Sequence, residues 1–254
     1  MRMTGGRRIL KIVAAVVALG GLAGTSAHAQ QGTPASVPSA SPPDAQPLSD
    51  ERLETRWSYP TRRAVVRSRP ATDARAAGRL QLLTEDSFPE VYLVLSRWVD
   101  PQGRAWMKVR LPKRPNGRTG WVPQDALTQT TVVRKMLDID RRRLRATLYD
   151  RGKVVFTARI GIGKSATPTP AGHFYIREKF KVRGAPVYGT HAIGTSAYAP
   201  TLSDWPGGGV VGLHGTNQPG LIPGRPSHGC IRLRNRDIAR LYRLAPRGTP
   251  IHIH

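Results

Sequence analysis

The sequence predicts a mainly β protein: two small β domains in succession, with one helix late in the chain. Three observations predict it. The 254 residues include 26 Gly and 22 Pro, a density of turn formers that favours short strands over long helices. Several short runs alternate apolar and polar residues with period two, as half-buried strands do. Helical spacing is found only near residue 240. Hydrophobic residues make up 39% of the chain and charged ones 22%, which is enough apolar material for a core and excludes a wholly disordered chain. A helical bundle is excluded as well.

The first 29 residues are expected to be a signal peptide. Arg2, Arg7, Arg8 and Lys11 precede an uncharged stretch from Ile12 to Leu22, and Ala27-His28-Ala29 has the small-x-small form of a cleavage site. The apolar block falls short of a membrane span, and no Cys lies near the cut to carry a lipid. The reading is therefore an exported protein of the periplasm or cell wall, with no stable span after cleavage. Cleavage would remove four positive and no negative charges from a formal net charge of +24. Such a field attracts anionic polymers. Export disfavours nucleic acid among them, and the only basic cluster, Arg141-Arg142-Arg143, has no stacking platform beside it.

Residues 30–55 are expected to form a disordered tether, because the Pro, Ser, Ala, Gln and Gly that follow Gln30 bury too little surface to offset ordering entropy. Residues 56–128 then show short β-prone runs. Ala64-Val65-Val66-Arg67, Pro89 to Leu95, Trp106 to Leu111 and Gly120-Trp121-Val122-Pro123 are separated by the turn signals Asp100-Pro101-Gln102-Gly103 and Asn116-Gly117. Such strands form a small barrel, and the Val65-Val66-Arg67 opening with the Arg118 to Pro123 close resembles a bacterial SH3-like domain. That resemblance implies attachment to cell-wall glycan or presentation to a second domain. Trp106 and Trp121 serve equally well as its core.

The second domain is expected over residues 131–254. Met136-Leu137-Asp138-Ile139, Arg145 to Tyr149 and Val154 to Gly161 make an antiparallel start, with a hairpin turn at Asp150-Arg151-Gly152-Lys153. Pro168 and Pro170 interrupt the pattern before Phe174-Tyr175-Ile176-Arg177 resumes it. Asn235 or Arg236 starts the helix, Ile238, Leu241 and Leu244 or Ala245 share a face, and Pro246 with Gly248 stops it. His252 and His254 fall on one face of a terminal strand. No third ligand type is suggested beside them, so no metal and no cofactor are expected.

Export sharpens the meaning of the single cysteine. Cys230 has no internal partner, so it is a buried small hydrophobe, an intermolecular crosslink or a reactive thiol. Its neighbours favour the last. Val210-Val211-Gly212-Leu213-His214-Gly215 ends a strand in a histidine, and Ser227 to Leu233 is a second strand-like run. If that run is extended, His228, Cys230 and Arg232 point one way, and cationic neighbours favour the thiolate. Gly229 permits close approach, and its N–H with that of Cys230 offers an oxyanion hole.

His214-Gly215 followed by Ser227-His228-Gly229-Cys230-Ile231-Arg232 resembles the signature of the L,D-transpeptidase (YkuD-like) catalytic domain, and Thr169-Pro170-Ala171-Gly172-His173-Phe174 resembles its Thr-Pro-x-Gly-x-Phe segment. The resemblance implies a β-sandwich enzyme acting on peptidoglycan stem peptides. Cys230 would be the nucleophile and His214 the base, oriented by the Gly215 carbonyl. His228 and Gly229 would line the nucleophile strand, and Ser227 and Arg232 would meet substrate, Arg232 through a carboxylate. The expected reaction moves an acyl group from a tetrapeptide stem, releasing D-Ala, to an amine that closes a 3-3 crosslink, or to water. Residues 184–209, with Tyr188, Tyr198 and Trp205, read as a lid, and His173 and His191 as structural or lid residues. Two alternatives accompany this reading: a catalytically inactive wall-binding adaptor and a sortase-like thiol transpeptidase.

Overall fold

Short alternating runs broken by Gly and Pro build two sheets. The computed structural model describes residues 41–202 and 208–254; the stretch expected to be a signal peptide, residues 30–40, Trp205 and Gly207 lie outside the described residues. The first sheet comprises β1 (Gln46–Pro47), β2 (Thr55–Ser58), β3 (Val65–Arg67), β4 (Ala76–Arg79), β5 (Tyr92–Val99), β6 (Ala105–Arg110), β7 (Thr119–Pro123) and β8 (Thr131–Val133). Its order is β4-β3-β7-β6-β5-β2-β8, with β1 also on β5. Trp106 and Trp121 are buried in it, so packing accounts for both.

The expected tether is ordered where it is described. β1 pairs with β5, and Asp50 accepts the N–H groups of Arg52, Leu53 and Glu54. Glu51 pairs with Arg110. Local side-chain to backbone bonds and sheet pairing thus fix a segment whose composition offers little to a core.

The second sheet comprises β9 (Lys135–Asp140), β10 (Arg145–Asp150), β11 (Lys153–Arg159), β12 (Gly161–Gly163), β13 (Gly172–Lys181), β14 (His191–Tyr198), β15 (Val210–His214), β16 (Gly224–Ser227), β17 (Ile231–Arg232) and β18 (Pro250–Ile253). The order is β11-β10-β9-β18-β13-β14-β15-β17-β12-β16. Between β10 and β11, Arg151 and Gly152 both take positive φ, of 46° and 77°, the conformation a two-residue hairpin turn requires. Helix α1 (Asn235–Leu244) buries Ile238 and Leu241, followed by Ala245. These pack into a continuous core with Leu137, Ile139, Leu148, Phe174, Leu213 and Ile231.

β13 carries the contact between the sheets. Tyr175 packs with Trp57, Val91, Leu93 and Val133, and its hydroxyl donates to the Val91 carbonyl at 3.0 Å. Beside it the buried Arg177 donates to both carboxylate oxygens of the buried Glu90 and pairs with Glu85 at 2.9 Å. Burial works against the Arg177 charge, but the hydrogen bonds and charge of Glu90, with Glu85 adding, hold the guanidinium firmly protonated. Tyr198 of β14 donates to Glu85. The described residues accordingly form one compact unit.

Candidate active site

Parallel pairing of β15 with β17 assembles the site. Leu213 lies opposite Ile231 and His214 opposite Arg232. Leu213 and Ile231 are fully buried on the core side, so the alternation turns His214 and Arg232 to the other face. Cys230 immediately precedes β17. The Gly212 backbone, two residues before His214, hydrogen-bonds the Cys230 thiol.

His214, Ser227, His228, Cys230 and Arg232 all line one cavity of about 260 Å³. The imidazole of His214 is buried, and its Nδ1 donates to the Gly215 carbonyl at 2.6 Å. That bond puts the proton on Nδ1 and leaves Nε2 as an acceptor. The Tyr188 ring meets the same imidazole edge to face at 4.9 Å. Cys230 is a free, half-buried thiol.

The electrostatics differ from the sequence expectation. Burial pushes the Cys230 thiol up, with a Gly212 backbone hydrogen bond and the Arg232 charge pulling it part of the way back. Burial also drives His214 down to about 4; the Gly215 carbonyl opposes that shift and Arg232 adds to it. Both shifts run towards the uncharged forms, a neutral thiol and a neutral imidazole lining one cavity. Cationic neighbours are present, but desolvation outweighs them.

The run from Ser227 to Leu233 is likewise not one strand. β16 ends at Ser227 and β17 starts at Ile231, with a bend between them at which Gly229 adopts a φ of +119°, a conformation open mainly to glycine. His228, Cys230 and Arg232 reach one cavity through that bend and not through alternation. The buried Ser227 hydroxyl donates to the Cys230 carbonyl at 2.6 Å and accepts the Gly229 N–H at 3.2 Å. Ser227 thus clamps the loop that carries Cys230, and it accepts the Gly229 N–H that was expected to serve an oxyanion. Arg232 lines the same cavity; its Nε is buried without a hydrogen-bond partner among the described residues, and its Nη1 donates to Gln218 at 3.5 Å.

A family model for the L,D-transpeptidase catalytic domain, YkuD, matches residues 134–253. The YkuD protein of Bacillus licheniformis is 34% identical over 137 residues, covering 54% of this chain and 74% of the relative. The chain belongs to the YkuD family of L,D-transpeptidases. The YkuD protein of Bacillus subtilis is 36% identical over 108 residues, which is 42% of this chain and 58% of that one. Among solved structures, a crystal structure of an Enterococcus faecium L,D-transpeptidase mutant is 27% identical with a TM-score of 0.38, covering 47% of this chain and 49% of that chain.

Within this L,D-transpeptidase domain, the structure adds positioning residues that sequence reading missed. Thr169, buried ahead of Pro170, donates to the Gly229 carbonyl at 2.7 Å and accepts the Gly163 N–H at 3.0 Å. A Thr at a proline-broken strand was the visible signal, but its partner lies sixty positions away. Thr169→Val leaves that buried carbonyl without its donor, a loss of about 1–3 kcal/mol. We expect kcat to fall roughly tenfold with a smaller change in KM, and Thr169→Ser to restore it; steady-state kinetics on both variants checks this. Asn235, expected only as a helix start, accepts the Thr216 N–H at 3.0 Å and so fixes the backbone just after His214.

The expected lid, residues 184–209, is not one element. Its middle is β14, a buried strand between β13 and β15. Among its described residues only the flanks meet the cavity, through Val187 and Tyr188 on one side and Ala199, Leu202 and Gly209 on the other. The second flank is held from the first sheet. Arg114 donates to the carbonyls of Gly208, Ala199 and Leu202 at 2.8, 3.1 and 2.8 Å, and its guanidinium lies over the Tyr198 ring at 4.8 Å. Asn116 exchanges two hydrogen bonds with the Tyr198 backbone. Losing these charge-assisted bonds in Arg114→Ala should raise KM roughly tenfold and leave kcat within about threefold. Equal falls in kcat and kcat/KM would show instead that Arg114 acts on the reacting atoms.

Proposed function

We propose that the chain is a cysteine acyltransferase of peptidoglycan stem peptides. The observation that carries this reading is the His214 Nδ1 bond to the Gly215 carbonyl, which leaves Nε2 as a base in the cavity that holds the Cys230 thiol. His214 takes the thiol proton as Cys230 Sγ bonds to the carbonyl carbon of the third stem residue. The Cys230 N–H stabilises the tetrahedral oxyanion. The bond to the terminal D-Ala nitrogen then breaks, and the imidazolium returns the proton to that amine, leaving a thioester. A side-chain amine of a second stem attacks the thioester, His214 removes its proton, and the thiol leaves as a 3-3 crosslink forms. Water in place of the amine gives a trimmed stem. Arg232, with its unpartnered buried Nε, suits a carboxylate or carbonyl of the donor stem.

No described helix is long and apolar enough to cross a membrane. Export to the periplasm or wall follows from the substrate and the N-terminal signal pattern, and the basic balance of the chain favours approach to anionic wall material. The first sheet would serve as an SH3-like wall-binding or presenting module. Mass spectrometry of muropeptides incubated with the chain lacking its first 29 residues tests the proposal. Dimers joined 3-3, or tripeptides with released D-Ala, are the expected products. Tetrapeptide stems recovered unchanged would overturn it.

A further inference from the structure

Strand β18 lies between β9 and β13, and its registry gathers metal-ligating side chains away from the catalytic cavity. His252 stands opposite Asp138 on the parallel neighbour β9 and opposite His173 on the antiparallel neighbour β13. His254 follows two residues later, on the same face of the strand line. The third ligand type that the sequence did not suggest is thus supplied by Asp138, 114 positions before His252.

The geometry points to a divalent transition-metal site formed by Asp138, His252 and His254. Their ligand atoms all lie within 4.8 Å of one another. His254 Nε2 is 3.1 Å from Asp138 Oδ1, and His252 Nδ1 is 3.9 Å from the same oxygen. A tetrahedral zinc ion with bonds of about 2.0–2.1 Å holds its donors roughly 3.3 Å apart, so small side-chain rotations bring all three within bonding range. Two imidazole nitrogens and one carboxylate oxygen suit zinc, nickel or copper and not calcium or magnesium, which prefer oxygen alone. The His173 ring stacks on His252 at 4.6 Å and 17° and so restrains the ligand ring.

The site opens on a cavity of about 960 Å³, which leaves a coordination position for water or an anion. Nearby cations are partly engaged elsewhere. Arg141 donates to the carbonyls of His254 and Thr169, and Arg143 faces Asp140 at 3.5 Å. Through β9 and β18 a bound ion would staple the end of the chain to the opening strand of the second sheet.

The test is calorimetric titration of zinc chloride into the chelator-treated chain. It uses a Cys230→Ala background so that the catalytic thiol and imidazoles cannot supply a second thiolate site. Saturable binding near one equivalent is expected, accompanied by a rise in melting temperature. Affinity should fall more than about tenfold in His252→Ala/His254→Ala. Asp138→Asn, which keeps the shape of the side chain, should weaken binding in the same direction, and each variant's metal-free melting curve establishes that it is folded. Absence of saturable binding by zinc, nickel and copper would overturn the proposal, as would zinc affinity unchanged in both folded variants.

Discussion

His214→Gln should lower kcat/KM by roughly 10²–10⁴-fold while shifting the melting temperature little. The glutamine amide keeps a polar side chain of similar reach at that position, but it cannot accept a proton as imidazole does. The same arrangement sets the pH profile. A histidine at its ordinary value loses base function as pH falls through about 6.5, whereas burial holds His214 near about 4. Activity should therefore stay level down to about pH 5 and fall only below that. Because the thiol is pushed up by the same burial, alkylation of Cys230 by iodoacetamide should be slow at neutral pH and accelerate towards alkaline pH. A preformed thiolate and imidazolium pair predicts the reverse, with fast alkylation at pH 6. Stopped-assay kinetics across pH and an alkylation series decide between them.

Arg177→Met should destabilise the chain by about 3–5 kcal/mol, the loss typical when one partner of a buried ion pair is removed. Arg177 and Glu90 are 4% and 1% exposed in their side chains, so the remaining carboxylate has no solvent to turn to. For a chain of this size that corresponds to a drop in melting temperature of roughly 6–20 °C. Arg177→Met combined with Glu90→Leu should recover much of it, since an apolar pair of similar volume leaves no charge stranded. Additive losses in the double variant would show that the pair does not act as a unit. The pair joins β13 to the first sheet, so a two-step melting curve in Arg177→Met would further mark it as the weld between the sheets.

Much of this was legible in the sequence for local reasons. Period-two alternation located β6 and β18, β-prone runs with a hairpin turn signal located β9 and β10, and the apolar face of Ile238 and Leu241 with the Pro246 stop located α1. His214 and Cys230 were legible because a sole thiol beside histidines and glycines has few structural uses. Features set by distant partners were not. The alternation rule assumed an extended run through His228, but the Ser227 hydroxyl, closing on the Cys230 carbonyl and the Gly229 N–H, bends the chain there. Cationic neighbours of Cys230 were visible, yet the depth of burial that overrides them depends on how β15 and β17 pack. Strand β14 was hidden within a glycine-bearing stretch that read as a lid, because a strand buried on both faces has no alternation to display. Arg114 and Asn116 lie in a loop of the other sheet, and nothing in their own sequence marks the carbonyls they hold. Asp138 met His252 only through parallel strand pairing, which sequence order does not reveal.

The central claim is that Cys230 becomes covalently acylated with His214 as its base. The most direct measurement is intact-protein mass spectrometry of the chain quenched in acid during turnover of a tetrapeptide stem, followed by peptide mapping. A mass increase equal to the tripeptide acyl group, mapped to Cys230 and absent in Cys230→Ala, is predicted. D-Ala release by Cys230→Ala at the wild-type rate, with no adduct on the wild-type chain, would contradict it.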